Sequence, residues 1–412
     1  MTSATRSTVS SGSPGAARLA LLSLAIGSFG IGMTEFVVMG LLPQISADLL
    51  PALSATDPDA AIAQTGWLIS LYALGVVVGA PTIAASVAKY PRHRVMLALA
   101  AALALFNALT VVMPTFELVA VSRFLSGLPH GAYFGIGALV ASDVLGPGKR
   151  AQGVAFVLTG LTLANVVGVP LGTGLGQHFG WRVAFMIVAA IFALAAVLIA
   201  FFVPAHAGDP GRTLRAELGV FRIPQVWLTL GIGAIGFGGF FAAYSYIASI
   251  VTEVAGSPAW VVPIVLVVMG VGMTIGNLLG GRLADRDLRR TLLRGLGVLA
   301  IVQVLLALTC GWIVTLVVFV FAVGVVSSVL SPSIQTRLMD VAGDNQSIAA
   351  ALNHSALNIG NATGAALGGA VIAAGFGFVA PVWVGAALAA AGLVIALASF
   401  RADARRPAAV LA

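Results

Sequence analysis

The chain has 412 residues, of which 59% are hydrophobic and 8% charged, and its formal net charge is +7. About a quarter of the residues of a soluble domain are charged, so this composition excludes an ordinary soluble protein and places the chain in a lipid bilayer. A single cysteine, Cys310, excludes a disulfide framework and most thiolate metal sites.

Residues 1–17 are rich in Ser, Thr, Gly and Ala and read as a mobile tail. Twelve apolar runs follow, near 19–43, 64–86, 95–113, 117–142, 151–175, 183–204, 225–253, 259–281, 292–310, 313–336, 347–375 and 378–400. Crossing a bilayer takes about 20 apolar residues. The first run is too long for a signal-peptide core and has no clear cleavage site, so it counts as a span. With both termini cytoplasmic, 19 of the 21 Lys and Arg residues fall on the inner side, leaving only Arg123 and Arg182. This positive-inside bias sets the orientation, supports twelve spans and argues against a nucleic-acid partner. The stretch 205–224, with His206, Asp209, Arg212, Arg215 and Glu217, reads as a cytoplasmic linker. It separates a six-helix bundle at 18–204 from a second at 225–400, and 401–412 forms a cytoplasmic tail. The fold expectation is an all-α integral membrane protein, monomeric, with two pseudo-symmetric bundles.

Polar residues inside the spans are the candidate functional groups. Glu35 lies 17 residues after Arg18, about 25 Å along a helix, in the outer half of the membrane. A charged carboxylate there costs a few kcal/mol. It reads either as a proton-binding group, also open to substrate, or as a hydrogen-bonded structural residue. Arg123 is the one basic residue deep in a span; it could favour deprotonation of Glu35, bind substrate, or reach headgroups. His130 lies seven residues on, on roughly the same helix face, and could relay protons or pack. Tyr133 would add a hydroxyl there or simply pack.

In span five, Asn165 precedes Pro170, which removes a backbone donor and should bend the helix. Span seven carries Tyr244 and Tyr246 with Phe237, Phe240 and Phe241, an aromatic wall or plain packing. Asn277 in span eight is a weaker candidate. In span eleven, His354, Asn358 and Asn361 share one face, beside Asn353. These amides fit either interhelical bonding or substrate contact.

Two internal echoes divide the chain. Gly168, Gly172 and Gly176 match Gly360, Gly364 and Gly368 at an offset of 192 residues. Gly79 through Lys89 and Arg92 match Gly276 through Arg286 and Arg289 at an offset of 197. Parallel repeats with a site at their interface are a transporter signature.

Several stretches then carry a resemblance to a known family. They are Thr34-Glu35-Phe36 leading to Gly40-Leu41-Leu42-Pro43-Gln44-Ile45, with Asp48 beyond; Arg123 to Gly127 with His130 and Gly131; Gly160 through Asn165, Gly168, Pro170 and Gly172; and Gly281-Arg282-Leu283-Ala284-Asp285-Arg286. Together they resemble the major facilitator superfamily over nearly the whole chain. The branch they look like is that of twelve-span drug–proton antiporters, similar to the arabinose-efflux-type and chloramphenicol-efflux permeases. The resemblance implies a bacterial cytoplasmic-membrane location, proton coupling through Arg123, and a charge-paired inner loop that latches one conformation. The first-half copy of that loop, Ala85 to Arg94 with Lys89 and Arg92, lacks the family's acid; only Asp285 of the second copy supplies it.

No phosphate-cradling loop, metal-ligand spacing or nucleophile constellation is present in the sequence. The expectation is a transporter rather than an enzyme, without cofactor or metal, driven by a gradient. It would exchange protons for a small neutral or weakly charged compound such as an amphenicol or a sugar. The alternative is an uncoupled facilitator or an importer.

Overall fold

The computed structural model describes residues 14–87, 90–145, 150–205, 218–342 and 346–404. Among the described residues there are only helices and their connections, and eleven helices are long and apolar enough to cross a membrane. Within a bilayer each backbone donor and acceptor must be satisfied inside its own segment, so long apolar runs fold as helices.

The spans are α1 (Pro14–Leu49), α2 (Trp67–Val87), α3 (Arg92–Val112), α4 (Phe116–Leu145), α5 (156–179), α6 (Trp181–Phe202) and α7 (224–254). A 49-residue helix, Val261–Thr309, follows. At 1.5 Å per residue it measures about 74 Å, more than twice the roughly 30 Å hydrocarbon core. It is broken at Asp287, whose φ of −160° and ψ of 91° are not helical. The break yields α8 (261–286) and α9 (288–309), and the count becomes twelve, as expected. The last three spans are α10 (Ile313–Ala342), α11 (Gln346–Val371) and α12 (Ala380–Ala404). Helix α1 already begins at Pro14, inside the stretch expected to be tail; residues 1–13, most of the linker (206–217) and 405–412 lie outside the described residues.

The two halves repeat their packing. A Cβ on Gly75 or Gly79 of α2 would lie 2.2 or 2.0 Å from the carbonyl oxygen of Phe124 or Leu128 in α4. In the second half, a Cβ on Gly272 or Gly276 of α8 would lie 2.6 or 2.1 Å from the carbonyl oxygen of Phe321 or Val325 in α10. Both members of each contact are offset by the same 197 residues. The glycine ladders behave alike. Gly168, Gly172 and Gly176 meet Phe29, Met33 and Leu41 of α1, while Gly360, Gly364 and Gly368 meet Gly238, Ala242 and Tyr246 of α7. Only glycine lets these backbones approach so closely. The ladders therefore build each bundle from within.

Pro170 has the expected local effect, in a particular form. It cannot donate to the carbonyl four residues back, and the turn before it, Ala164–Gly168, widens to a π-helix. Helix α7 is more broken, with π-helical turns at Ile232–Gly236 and Ile250–Val254 and a non-helical residue, Tyr246, between them.

Candidate functional site at the seam between the bundles

The described ends of the helices define two faces. One carries Arg92, Arg282, Arg286 and Arg337 and is called the basic face; the other carries Asp48 and Arg182 and is called the far face.

Glu35 sits on the α1 surface that meets the second bundle and is 6% exposed. Its Oε1 accepts a hydrogen bond from Nδ2 of Asn361 in α11 at 3.2 Å. This bond joins the two halves. On the far side of it, Phe36 stacks on Tyr244 at 5.6 Å and on Phe241 at 6.4 Å. There too, the Ser70 hydroxyl of α2 donates to the Ala362 carbonyl of α11 at 3.0 Å. Tyr246 donates to the Ala365 carbonyl at 2.7 Å and presses against Gly66 of the first half. Towards the basic face, Phe134 of α4 stacks on His354 of α11 at 5.3 Å with rings 3° from parallel. The seam is thus in contact on both sides of Glu35.

Arg123 is 1% exposed and does not touch the Glu35 carboxylate. Its Nη1 donates to the Thr34 hydroxyl and its Nη2 to the Thr34 carbonyl, each at 2.8 Å. Thr34 passes the chain on, donating to Asn107 Oδ1 at 2.5 Å, and Asn107 donates to the Leu103 carbonyl. The guanidinium lies 4.3 Å from the Tyr72 ring and 5.2 Å from the Phe185 ring. Two donors and two π faces account for a buried cation that would otherwise be costly. Arg123 therefore clamps the residue immediately before Glu35, holding that turn of α1 against α3 and α4.

His130 Nδ1 lies 2.9 Å from the Tyr72 hydroxyl, and its ring packs on Phe134 at 5.3 Å. His354, Phe134, His130, Tyr72 and Arg123 form one contact chain across the seam. Tyr133 turns away from it, donating to the Leu24 carbonyl at 3.1 Å and filling the space beside Gly27. Asn165 lies in the π-turn of α5, its backbone against Gly270 of α8 in the other bundle. Asn165 Nδ2 donates to the Leu161 carbonyl at 3.1 Å, and Asn358 Nδ2 to the His354 carbonyl at 2.9 Å. The Oδ1 atoms of Asn165, Asn353, Asn358 and Asn361 are buried without a hydrogen-bond partner. Asn277 is exposed.

The loop residues divide differently. Arg92 pairs with Asp143 at the end of α4, so a neighbouring helix supplies the acid that the first-half loop lacks. Lys89 lies outside the described residues. Arg282, Asp285 and Arg286 are exposed and form no ion pair among the described residues. At the far face, Asp48 accepts from Trp181 Nε1 at 2.9 Å and pairs with Arg182, whose Nε donates to the Val111 carbonyl. Arg337 pairs with Asp403 and, with Gln225 and Ser399, ties α7, α10 and α12 together at the basic face.

Sequence reasoning missed Tyr72, Asn107, Phe134 and Phe185. Asn107 is the one amide within its span, a signal that could have singled it out. The phenylalanines gave none, because their value lies in partners from other helices.

The family model described as Major Facilitator Superfamily matches residues 24–310 and 261–411. The inner membrane transport protein YdhP of Escherichia coli (strain K12) is 37% identical over 385 residues, covering 92% of this chain and 96% of that protein. AraJ of the same strain is 33% identical over 359 residues, covering 87% of this chain and 89% of its own length. A chloramphenicol resistance protein of Streptomyces lividans is 29% identical over 382 residues, covering 92% of this chain and 95% of that protein.

Proposed function

From the premise that the chain belongs to the major facilitator superfamily, we propose that it is a proton-coupled exporter of a small neutral or weakly charged organic compound. It is a multi-pass membrane transporter; export, proton coupling and substrate class are the proposed parts. The observation that carries them is the Glu35–Asn361 hydrogen bond, because it places an ionisable group on the contact between the two bundles. The basic face is taken as cytoplasmic, following the positive-inside bias.

In this cycle the two bundles rock about a mid-membrane site. A deprotonated Glu35 is the stronger acceptor, since a charge-assisted hydrogen bond is roughly twice as strong as a neutral one. Its grip on Asn361 then helps hold the seam. Protonation from outside weakens that grip and releases substrate, and loss of the proton to the cytoplasm resets the site. Arg123 sets the position of this turn through Thr34. His130 and His354 lie on the cytoplasmic side of Glu35, where they can pass the proton or serve as a ring stack that parts during opening. An amphenicol is a reasonable first substrate to try, given the name of the Streptomyces relative.

The test uses inside-out vesicles loaded by a pH gradient. Chloramphenicol uptake should be uphill, should collapse with an uncoupler, and should be lost in a folded Glu35→Gln variant. Uptake that persists with its pH dependence in that variant would reject the role of Glu35. Uptake indifferent to the uncoupler would make the protein a facilitator.

A further inference from the structure

The polar groups at the seam are unevenly matched. Glu35 offers carboxylate oxygens, and the Oδ1 atoms of Asn358 and Asn361 lie on the same face of α11, buried and unpartnered. With Glu35 deprotonated, the orientation of both amides follows from what they face. Asn358 Nδ2 points at the His354 carbonyl and Asn361 Nδ2 at Glu35, and only an NH2 group can donate to those oxygens. The two donors nearest the Thr34–Glu35 turn are partly engaged. Nη1 and Nη2 of Arg123 each donate one bond to Thr34, its Nε is buried without a partner, and its two π faces are covered by Tyr72 and Phe185. The Tyr72 hydroxyl is engaged with His130. The two amide oxygens of α11 remain buried acceptors without a donor, and Phe36, Phe241 and Tyr244 stack beside Glu35.

Resting on the transport reading above, we infer that the substrate is a neutral molecule that donates hydrogen bonds, through hydroxyl or amide N–H groups, to the Asn358 and Asn361 carbonyl oxygens beside Glu35. A buried acceptor left unpaired is costly, so the site favours a ligand that supplies donors and discriminates against one whose donors are blocked. Carboxylates and phosphates are disfavoured for a second reason: their negative charge would face the Glu35 carboxylate and the unpartnered amide oxygens. The aromatic rings add the apolar wall that small-molecule sites usually have.

The experiment compares ligands that differ only in their donors. Inside-out vesicles carrying the full chain are given a pH gradient and labelled chloramphenicol, which has two hydroxyls and one amide N–H. Competitors are unlabelled chloramphenicol, its diacetate, in which both hydroxyls are blocked, and its anionic succinate ester. Isopropyl thiogalactoside and its acetylated form are run in the same way. Each blocked or anionic form should compete at least tenfold more weakly than its parent. Asn358→Leu should shrink that discrimination, while Asn358→Asp, which keeps the acceptors, should retain it. Diacetate equal to its parent, or preference for the succinate, would overturn the inference while leaving proton-driven transport intact. If neither parent compound moves uphill with the gradient, the transport reading fails and the inference fails with it.

Discussion

Replacing Arg123 with lysine keeps the charge and asks whether the geometry matters. The guanidinium makes two 2.8 Å hydrogen bonds to Thr34, one to the hydroxyl and one to the carbonyl. An ammonium is a compact point charge and cannot span both in the same planar fashion. Losing one charge-assisted bond costs about 1.5–3 kcal/mol, and weaker stacking on Tyr72 and Phe185 adds about 0.5–1 kcal/mol. Some of that loss is recovered by relaxation, so about 2–3 kcal/mol is the expected net effect on the ordering of the Thr34–Glu35 turn. If this ordering is required on the way to exchange, the rate falls about 30- to 150-fold. The assay is the initial rate of gradient-driven chloramphenicol uptake, normalised to protein, with thermal stability of the purified variant in parallel. Thr34→Val, which keeps the carbonyl bond, should fall between wild type and Arg123→Lys. A lysine variant within twofold of wild type would refute the clamp, since charge alone would then suffice.

Other expectations follow from the same contacts. Gly276→Leu should prevent stable folding, because its Cβ would lie 2.1 Å from the Val325 carbonyl oxygen, a backbone atom that cannot swing aside; overpacking of this kind costs about 1–3 kcal/mol or more, and size-exclusion profiles of the detergent-solubilised protein would register it. Gly79→Leu should behave alike in the first half, with 2.0 Å to the Leu128 carbonyl oxygen. His354→Phe preserves the stack on Phe134, so gradient-driven transport should survive if the ring acts by packing, and its loss in a stable variant would assign the imidazole a proton role. Arg92→Ala removes a partly exposed ion pair with Asp143 and should change stability by less than about 1 kcal/mol, measurable as a small shift in the melting midpoint.

The architecture was legible because its signals are local. Run length, the distribution of arginines and the two glycine echoes each depend on one helix and its immediate flanks. The offset of 197 residues recurs in the packing, since Gly79 and Gly276 meet Leu128 and Val325 at equivalent positions. The site was legible only in part. Glu35, Asn361 and His354 could be singled out as polar residues in oil, but Glu35 and Asn361 are 326 residues apart. Nothing in either helix says that they face each other, because that depends on how two bundles dock. In sequence Arg123 is open between favouring deprotonation of Glu35, binding substrate and reaching headgroups; its terminal nitrogens hold Thr34, one position before Glu35. Tyr72 is passed over in the sequence, whereas Tyr133 and Tyr246 are singled out. Their hydroxyls end on main-chain carbonyls of Leu24 and Ala365, and only helix rotation in the packed bundle decides that.

The most direct measurement is a pH-difference infrared spectrum of the reconstituted protein, wild type against Glu35→Gln. A protonated-carboxyl band that grows as pH falls, is missing from Glu35→Gln and shifts when a transported compound is added is the expected result. Superimposable spectra from the two proteins at every pH would mean that Glu35 never exchanges its proton, and the coupling mechanism would be wrong.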